Sequence, residues 1–313
     1  MIPMAIGISI ISFLVMYAAG DPIKLATAGH PNITEGQREA LRRYYGLDQP
    51  IPIQYLNWVS HLLVGDFGKS LYGGRPVNQL IGDWLWETVK LNGIALILAL
   101  AIAIPVGVNS ALKQYSASDA IVTTVSIFGV SMPVFWIGIV AILVFSFWLG
   151  WLPSGGAYGF PTLWPLFGIT GPTVDEIAHL MLPVAVLTYV QLALFVRLTR
   201  AQMLEVLRQD YVLAAKASGM PNSKVVYKYA LKNAISPVIT YAGLSIGAIV
   251  GGAPMTETTF NWPGLGRRFV QAAGMLDFPV VMGITMIITV MILIANLAVD
   301  LSYAFVDPRI AVE

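Results

Sequence analysis

Six runs of this 313-residue chain are long, apolar and almost free of charge: residues 2–19, 91–112, 120–150, 177–196, 234–253 and 279–299. A helix rises 1.5 Å per residue, so hydrocarbon about 30 Å thick takes about 20 residues to cross. In lipid every backbone N–H and C=O must find its partner within the segment, and each run therefore reads as a membrane-spanning helix. The expected fold class is an all-α polytopic membrane protein with six transmembrane helices. Composition agrees, with 57% apolar and 11% charged residues, where soluble domains hold about a quarter charged. The first run has no basic segment before its apolar stretch, which argues against a cleaved signal peptide and for a permanent helix. The third run is long for one upright span and contains Pro133, so its first turns are expected to lie at the interface or pack as extra helix.

These runs divide the chain into a first helix at 1–20, a large loop at 21–90, and a core at 91–313 with five helices and a polar loop at 201–235. Lysine and arginine in short loops set orientation. With the N-terminus inside, the inner segments hold Lys113, Arg309 and seven basic residues from Arg197 through Lys232, whereas the short outer segments hold only Arg267 and Arg268. Both termini and the 201–235 loop are thus expected in the cytoplasm. Burying those seven charges in lipid would cost on the order of 20 kcal/mol. The loop at 21–90 is long enough to be discounted from the comparison. Within it, TEGQREALRRYYGL reads as a capped helix from Thr34 that stops at Gly46, followed by the amphipathic, aromatic IPIQYLNWVSHLL. That loop is expected to fold back over the outer membrane face.

Several motifs fail their physical context. GDFGKS at 65–70 ends like a phosphate-binding loop, but position 63 is Leu and no strand precedes it. GLSIG at 243–247 has the spacing of a nucleophile elbow, yet it lies inside an apolar run. The sequon Asn32-Ile33-Thr34 matters only in a glycosylating host. His30, His61 and His179 are scattered, Asp175 and Glu176 read as a solvated helix start, and Asp300 reads as interfacial. No cysteine is present, which excludes disulfides and thiolate chemistry. A net charge of +1 gives no basic surface for nucleic acid. No enzyme and no cofactor site is expected in this chain.

Two features remain. In the fifth run Gly243, Gly247 and Gly251 recur every four residues, a small-residue stripe suited to close helix packing or to lining a path. The loop after the fourth run is the second. From Ala201 to Ser218 a single helix is expected, with Leu204, Leu207, Tyr211, Ala214 or Ala215, and Ser218 on one face. Gly219 fits its C-terminal cap and Pro221 prevents its continuation. A second helix follows from Asn222 or Ser223, with Lys224, Lys228 and Lys232 on one side and Val226 and Ala230 on the other.

The string QDYVLAAKASGMPNSKVVYKYALKNAISPVIT resembles the cytoplasmic coupling loop of permease subunits of ATP-binding-cassette importers, specifically the first permease subunit of the dipeptide, oligopeptide and nickel family. GDPIKLA, YYGLDQPIPIQYLNWVSHLLVGDFGKSL, SMPVFWIGI, GWLPSGG, FNWPGLGRRFV and DFPVVMGITMI…NLAVDLSYAFVDPRI resemble the family's landmarks in order, over nearly the whole chain. The general importer signature begins Glu-Ala-Ala; here Leu213 holds the Glu position, so the carry-over applies to Ala214, Ala215 and Gly219. Members usually carry a short Arg-containing tail before the first span, where this chain opens at Met-Ile-Pro.

The resemblance implies a type I importer permease architecture in a prokaryotic cell membrane, surrounded by lipid. It implies a second homologous permease subunit, two cytoplasmic ATPase subunits that bind ATP and Mg, and an extracytoplasmic substrate-binding protein. Peptides are the expected substrates, with nickel chelates, glutathione or oligosaccharides as family alternatives. An ion-coupled transporter would instead need charges within the spans and inverted repeats, and neither is visible.

Overall fold

A computed structural model describes residues 2–27, 34–158 and 172–306. His30, Asn32 of the sequon and Arg309 lie outside these residues, as does the side chain of Asp300. The described chain is almost wholly helical. Four helices are long and apolar enough to cross a membrane: α1 (Ile2–Ala19), α5 (Val77–Leu112), α8 (Pro172–Val206) and α15 (Phe278–Val306).

The other two expected spans differ from a single straight helix. The third breaks into α6 (Ala117–Ser131) and a second arm of α7 (Val134–Ala141) and a π-helical turn Ile142–Trp148, bent by 106°. Pro133 causes the break. Its ring disfavours the helical region for the preceding residue, and Met132 is extended at φ −84°, ψ 136°. The fifth is α12 (Ser236–Ile249), too short to pass for a span by itself. Five apolar crossings are thus visible when the bent pair counts as one, and α12 supplies the remaining apolar helix.

Between α1 and α5 the loop folds into α2 (Pro22–Thr27), α3 (Glu35–Tyr44) and α4 (Ile51–Leu63). Thr34 and Gln37 form a capping box at the start of α3, each side chain bonding the other's backbone N–H. The loop is shorter than its apolar boundaries suggest, because α5 begins at Val77 rather than at 91. Hydropathy marks only the lipid-immersed part of a helix, and the amphipathic first turns of α5 pack on protein: Val77, Leu80 and Ile81 join Phe13, Met16, Val280, Val281, Met282 and Ile284 in one core.

At the centre, α5 and α8 run side by side. Leu91 and Leu180 share a core near one end of the pair, while Val108 and Met203 share another near its opposite end, so the two helices point the same way. Their approach is close: a Cβ on Gly107 would sit 2.7 Å from Thr199 Cβ. The helix pair α12 and α15 is antiparallel and equally tight, with a Cβ on Gly247 only 2.4 Å from Ala295 Cβ. Small residues at these seams let backbones touch where lipid offers no hydrophobic drive for association.

The rejected motifs have structural roles. Ser70 of GDFGKS donates to Asp277 Oδ2 at 2.5 Å, and Leu71 N–H donates to Oδ1 at 3.1 Å, tying the loop to the start of α15. Burial pushes the Asp277 carboxyl above the ordinary range, against the pull of those donors. Ser245 of GLSIG donates to Tyr241 O at 2.8 Å, within its own helix.

Candidate coupling loop and its anchors

The 201–235 loop begins as the last turns of α8. The helix ends at Val206, residues 207–209 turn, and α9 (Asp210–Ala217) starts in a new phase. This corrects the expectation of one helix from Ala201 to Ser218. Arg208 N–H and Gln209 N–H bond only to carbonyls three residues back, at 3.3 and 3.0 Å, which closes the turn. The apolar face is therefore re-registered: Leu204 and Leu207 pack on the core from one side of the break, and beyond it Val212 and Ala215 are buried. Of the residues expected to share a face with Leu204 and Leu207, Tyr211 and Ser218 are exposed, and of Ala214 or Ala215 it is Ala215 that is buried.

After α9 the chain reverses at Gly219, whose φ of +76° lies in the left-handed region that glycine enters without a Cβ penalty. Nothing in the described chain comes within 4 Å of where its Cβ would be. Pro221 caps α10 (Asn222–Lys224), which runs through a π-helical turn Val225–Ala230 into α11 (Leu231–Ala234) and then, after Ile235, into α12. The two arms of the hairpin are joined where Asn233 Nδ2 donates to Tyr211 Oη at 2.9 Å.

Beneath the hairpin lies one apolar core that contains Val108 and Ala111 of α5, Met203 of α8, Val212 and Ala215 of α9, and Val225, Val226, Ala230 and Ala234. The loop is thus a rigid bracket seated on the ends of α5 and α8. Of the residues singled out in sequence, Ala215 faces this core, while Tyr211, Ala214, Gly219 and Pro221 are exposed along the hairpin's outer side.

A polar anchor beside the bracket escaped the sequence reading. Asp119, 4% exposed, sits in the first turn of α6. Arg200 of α8 donates to it in fork geometry, Nε to Oδ1 at 2.7 Å and a terminal nitrogen to Oδ2 at 2.9 Å. Ser110 of α5 donates at 2.5 Å and Tyr115 N–H at 2.9 Å. One carboxylate therefore ties three helices at the level of the loop. Arg200 enters the sequence reading only as a basic residue for orientation, since its partner is 81 positions away. The available local signal was Ser116 followed three residues later by Asp119, a cap pattern at the head of an apolar helix.

At the opposite end a second buried carboxylate holds α13 (Pro254–Thr259) and α14 (Leu265–Gly274) to α5. Glu257 Oε1 accepts from Thr88 Oγ1 at 3.0 Å and from Ala253 N–H at 3.3 Å, and Oε2 accepts from Arg267 N–H at 2.9 Å. Thr88 Oγ1 in turn accepts from Leu265 N–H at 2.6 Å. Burial pushes the Glu257 carboxyl up, while these donors pull it down. Trp262, fully buried, donates through Nε1 to Glu87 O at 3.1 Å. The turn between α13 and α14 is confined to 260–264. Gly247 and Gly251 of the small-residue stripe face α15, and Gly243 is half-buried. Among the described residues no three of His, Asp and Glu gather as a metal site would need.

Comparison with known proteins adds the following. Residues 103–312 match the family described as binding-protein-dependent transport system inner membrane component, and residues 2–90 match the N-terminal part of such membrane components. The oligopeptide transport system permease protein AppB of Bacillus subtilis is 43% identical over 99% of this chain and 96% of its own length. The dipeptide transport system permease protein DppB of Alkalihalophilus pseudofirmus is 38% identical over 99% and 96%. DppB of Escherichia coli K12 is 37% identical over 99% and 95%.

Proposed function

Because the chain belongs to the family of binding-protein-dependent transport system inner membrane components, we propose that it is the first permease subunit of an ATP-driven importer of di- and oligopeptides. It forms half of the translocation path with a second homologous permease. Two cytoplasmic ATPase subunits bind ATP and Mg, and an extracytoplasmic binding protein delivers the peptide. This subunit performs no chemistry. The peptide assignment is supported by the names of AppB and DppB and by the extent of the match along the whole chain.

The observation that carries the mechanism is the rigid bracket at 201–235. An element that transmits force between an ATPase and a membrane path must present a surface to the first and be fixed to the second. Tyr211, Ala214, Gly219 and Pro221 are exposed on the outer side, and Ala215 with Val212 is packed against the ends of α5 and α8. ATPase closure displaces α9, and that displacement passes through the apolar core to α5 and α8, and through Asp119 and Arg200 to α6. Coupling requires that these contacts differ in free energy between the inward-facing and outward-facing states. In this reading the loop and both termini are cytoplasmic, and the Glu257 anchor lies on the outer side. Gly247 and Gly251 keep α12 on α15, so that the two move together.

The test is purification of the tagged chain with its neighbours. ATPase subunits that accompany the chain, and whose association is lost on deleting residues 210–221, support the reading. A chain that carries out uptake in vesicles without any ATPase subunit refutes it.

A further inference from the structure

The exposed face of the second arm of the bracket is left unused by the coupling role. Lys224, Lys228 and Lys232 are all exposed, and Tyr227 between them is 61% exposed. The opposite face, Val225, Val226, Ala230 and Ala234, is buried. Among the described residues, none of the three lysines is within ion-pair distance of an acid. Three cations, unpaired among the described residues, stand in line on a packed helix.

Their depth follows from two independent markers. The helix α12 has 14 residues, about 21 Å, and hydrocarbon about 30 Å thick needs some six residues more. At its far end the chain turns away at Gly252, where φ is +72°. Val250 and Gly251 before that turn supply about two of these residues, and the remaining four or so come from the near end, which continues helically through Ile235 into α11. That places Lys232 at the hydrocarbon boundary and Lys228 and Lys224 one and two turns beyond it. The second marker is α5, whose apolar run stops at Leu112 before Lys113. Its last two turns, with Val108 and Ala111, share a core with Val225, Val226 and Ala230. Both markers put the lysine face at the level of lipid headgroups, where a long cationic side chain reaches phosphate while its stem stays in the apolar boundary, and where tyrosine also settles.

We propose that Lys224, Lys228 and Lys232 form a binding surface for the headgroups of anionic phospholipids. Depth and unpaired charge carry the assignment, and neither depends on which side of the membrane the loop occupies or on the transported substrate. Each lysine near a charged bilayer surface favours anionic over neutral lipid by about fivefold. The stripe thereby holds the second arm at a fixed height while the first arm remains free to meet another protein.

Because the chain contains no cysteine, Tyr227→Cys gives one labelling site beside the stripe. The full chain, carrying bimane at that site, is placed in nanodiscs with equal mole fractions of nitroxide-labelled phosphatidylglycerol or phosphatidylcholine. The expected result is at least fivefold stronger quenching by phosphatidylglycerol. The preference should disappear in 1 M salt and in the Lys224→Gln, Lys228→Gln, Lys232→Gln variant. Equal quenching by the two lipids, or quenching by neither, overturns the proposal. Shielding of the label by added ATPase subunits that is lost in the triple variant would assign the stripe to a protein partner and overturn it as well.

Discussion

Gly219 separates the cost of folding from the cost of coupling. Any L-residue placed there must adopt the left-handed conformation set by the φ of +76°, which costs about 1–2 kcal/mol. Beyond its chain neighbours nothing described lies within 4 Å of the new Cβ, and the position is exposed, so a longer side chain can extend into solvent without adding to that cost. Gly219→Ala and Gly219→Glu should then lose the same small amount of stability, well below the 5–15 kcal/mol typical of folded domains. They should differ sharply in transport if an ATPase surface closes over Gly219. A carboxylate held unpaired in such an interface costs about 2 kcal/mol or more, or about thirtyfold in association. The assay is peptide uptake by proteoliposomes carrying the reconstituted transporter, with the amount of folded chain checked by size-exclusion chromatography and thermal unfolding. The expected result is nearly normal uptake for Gly219→Ala and at least a tenfold loss for Gly219→Glu at equal folded protein. Equal uptake by the two variants would refute the inference that this turn lies under a partner.

Three other perturbations follow from the anchors. Asp119→Ala leaves the Arg200 guanidinium, the Ser110 hydroxyl and the Tyr115 N–H without their shared acceptor. It should cost about 3 kcal/mol, the lower end for a broken buried pair because Arg200 is partly exposed; an unchanged thermal midpoint in detergent contradicts this. Gly247→Ala should destabilise the chain by about 1–3 kcal/mol by forcing α12 from α15, and Ala295→Gly in the same chain should restore most of the loss, a double-mutant cycle with no coupling being the contrary result. Glu257→Gln should cost about 1–3 kcal/mol, because both carboxylate oxygens accept hydrogen bonds and an amide nitrogen cannot; limited proteolysis near 260–264 should rise, and resistance equal to the parent chain would show that the anchor is dispensable.

Much of the architecture was legible because lipid imposes a simple rule on composition. Four of the six apolar runs lie within single long helices, and Thr34 began and Gly219 ended a helix where their chemistry demands. Hydropathy could not locate the start of α5, since its first turns are buried against protein rather than lipid. It could not show the bend at Met132 either, although Pro133 was the visible cause. The phase of α9 was misread because a three-residue turn at 207–209 leaves the apolar residues helically spaced while rotating the faces that bear them. Least legible were the anchors. Asp119 with Arg200 and Thr88 with Glu257 are pairs separated by 81 and 169 positions, and no local pattern encodes a partner so distant. Sequence pattern reports the solvent each segment meets; the contacts that connect segments depend on a geometry that pattern does not carry.

The central claim is that this subunit moves peptide only when ATPases act on its loop. The most direct measurement is uptake of a labelled dipeptide into proteoliposomes containing this chain, its partner permease and the ATPase subunits, with the binding protein and ATP each supplied on the proper side. The account predicts uptake that requires binding protein and ATP together and stops when ATP is replaced by a non-hydrolysable analogue. Uptake that proceeds at the same rate without ATP, driven by an ion gradient or by the peptide gradient alone, would contradict it.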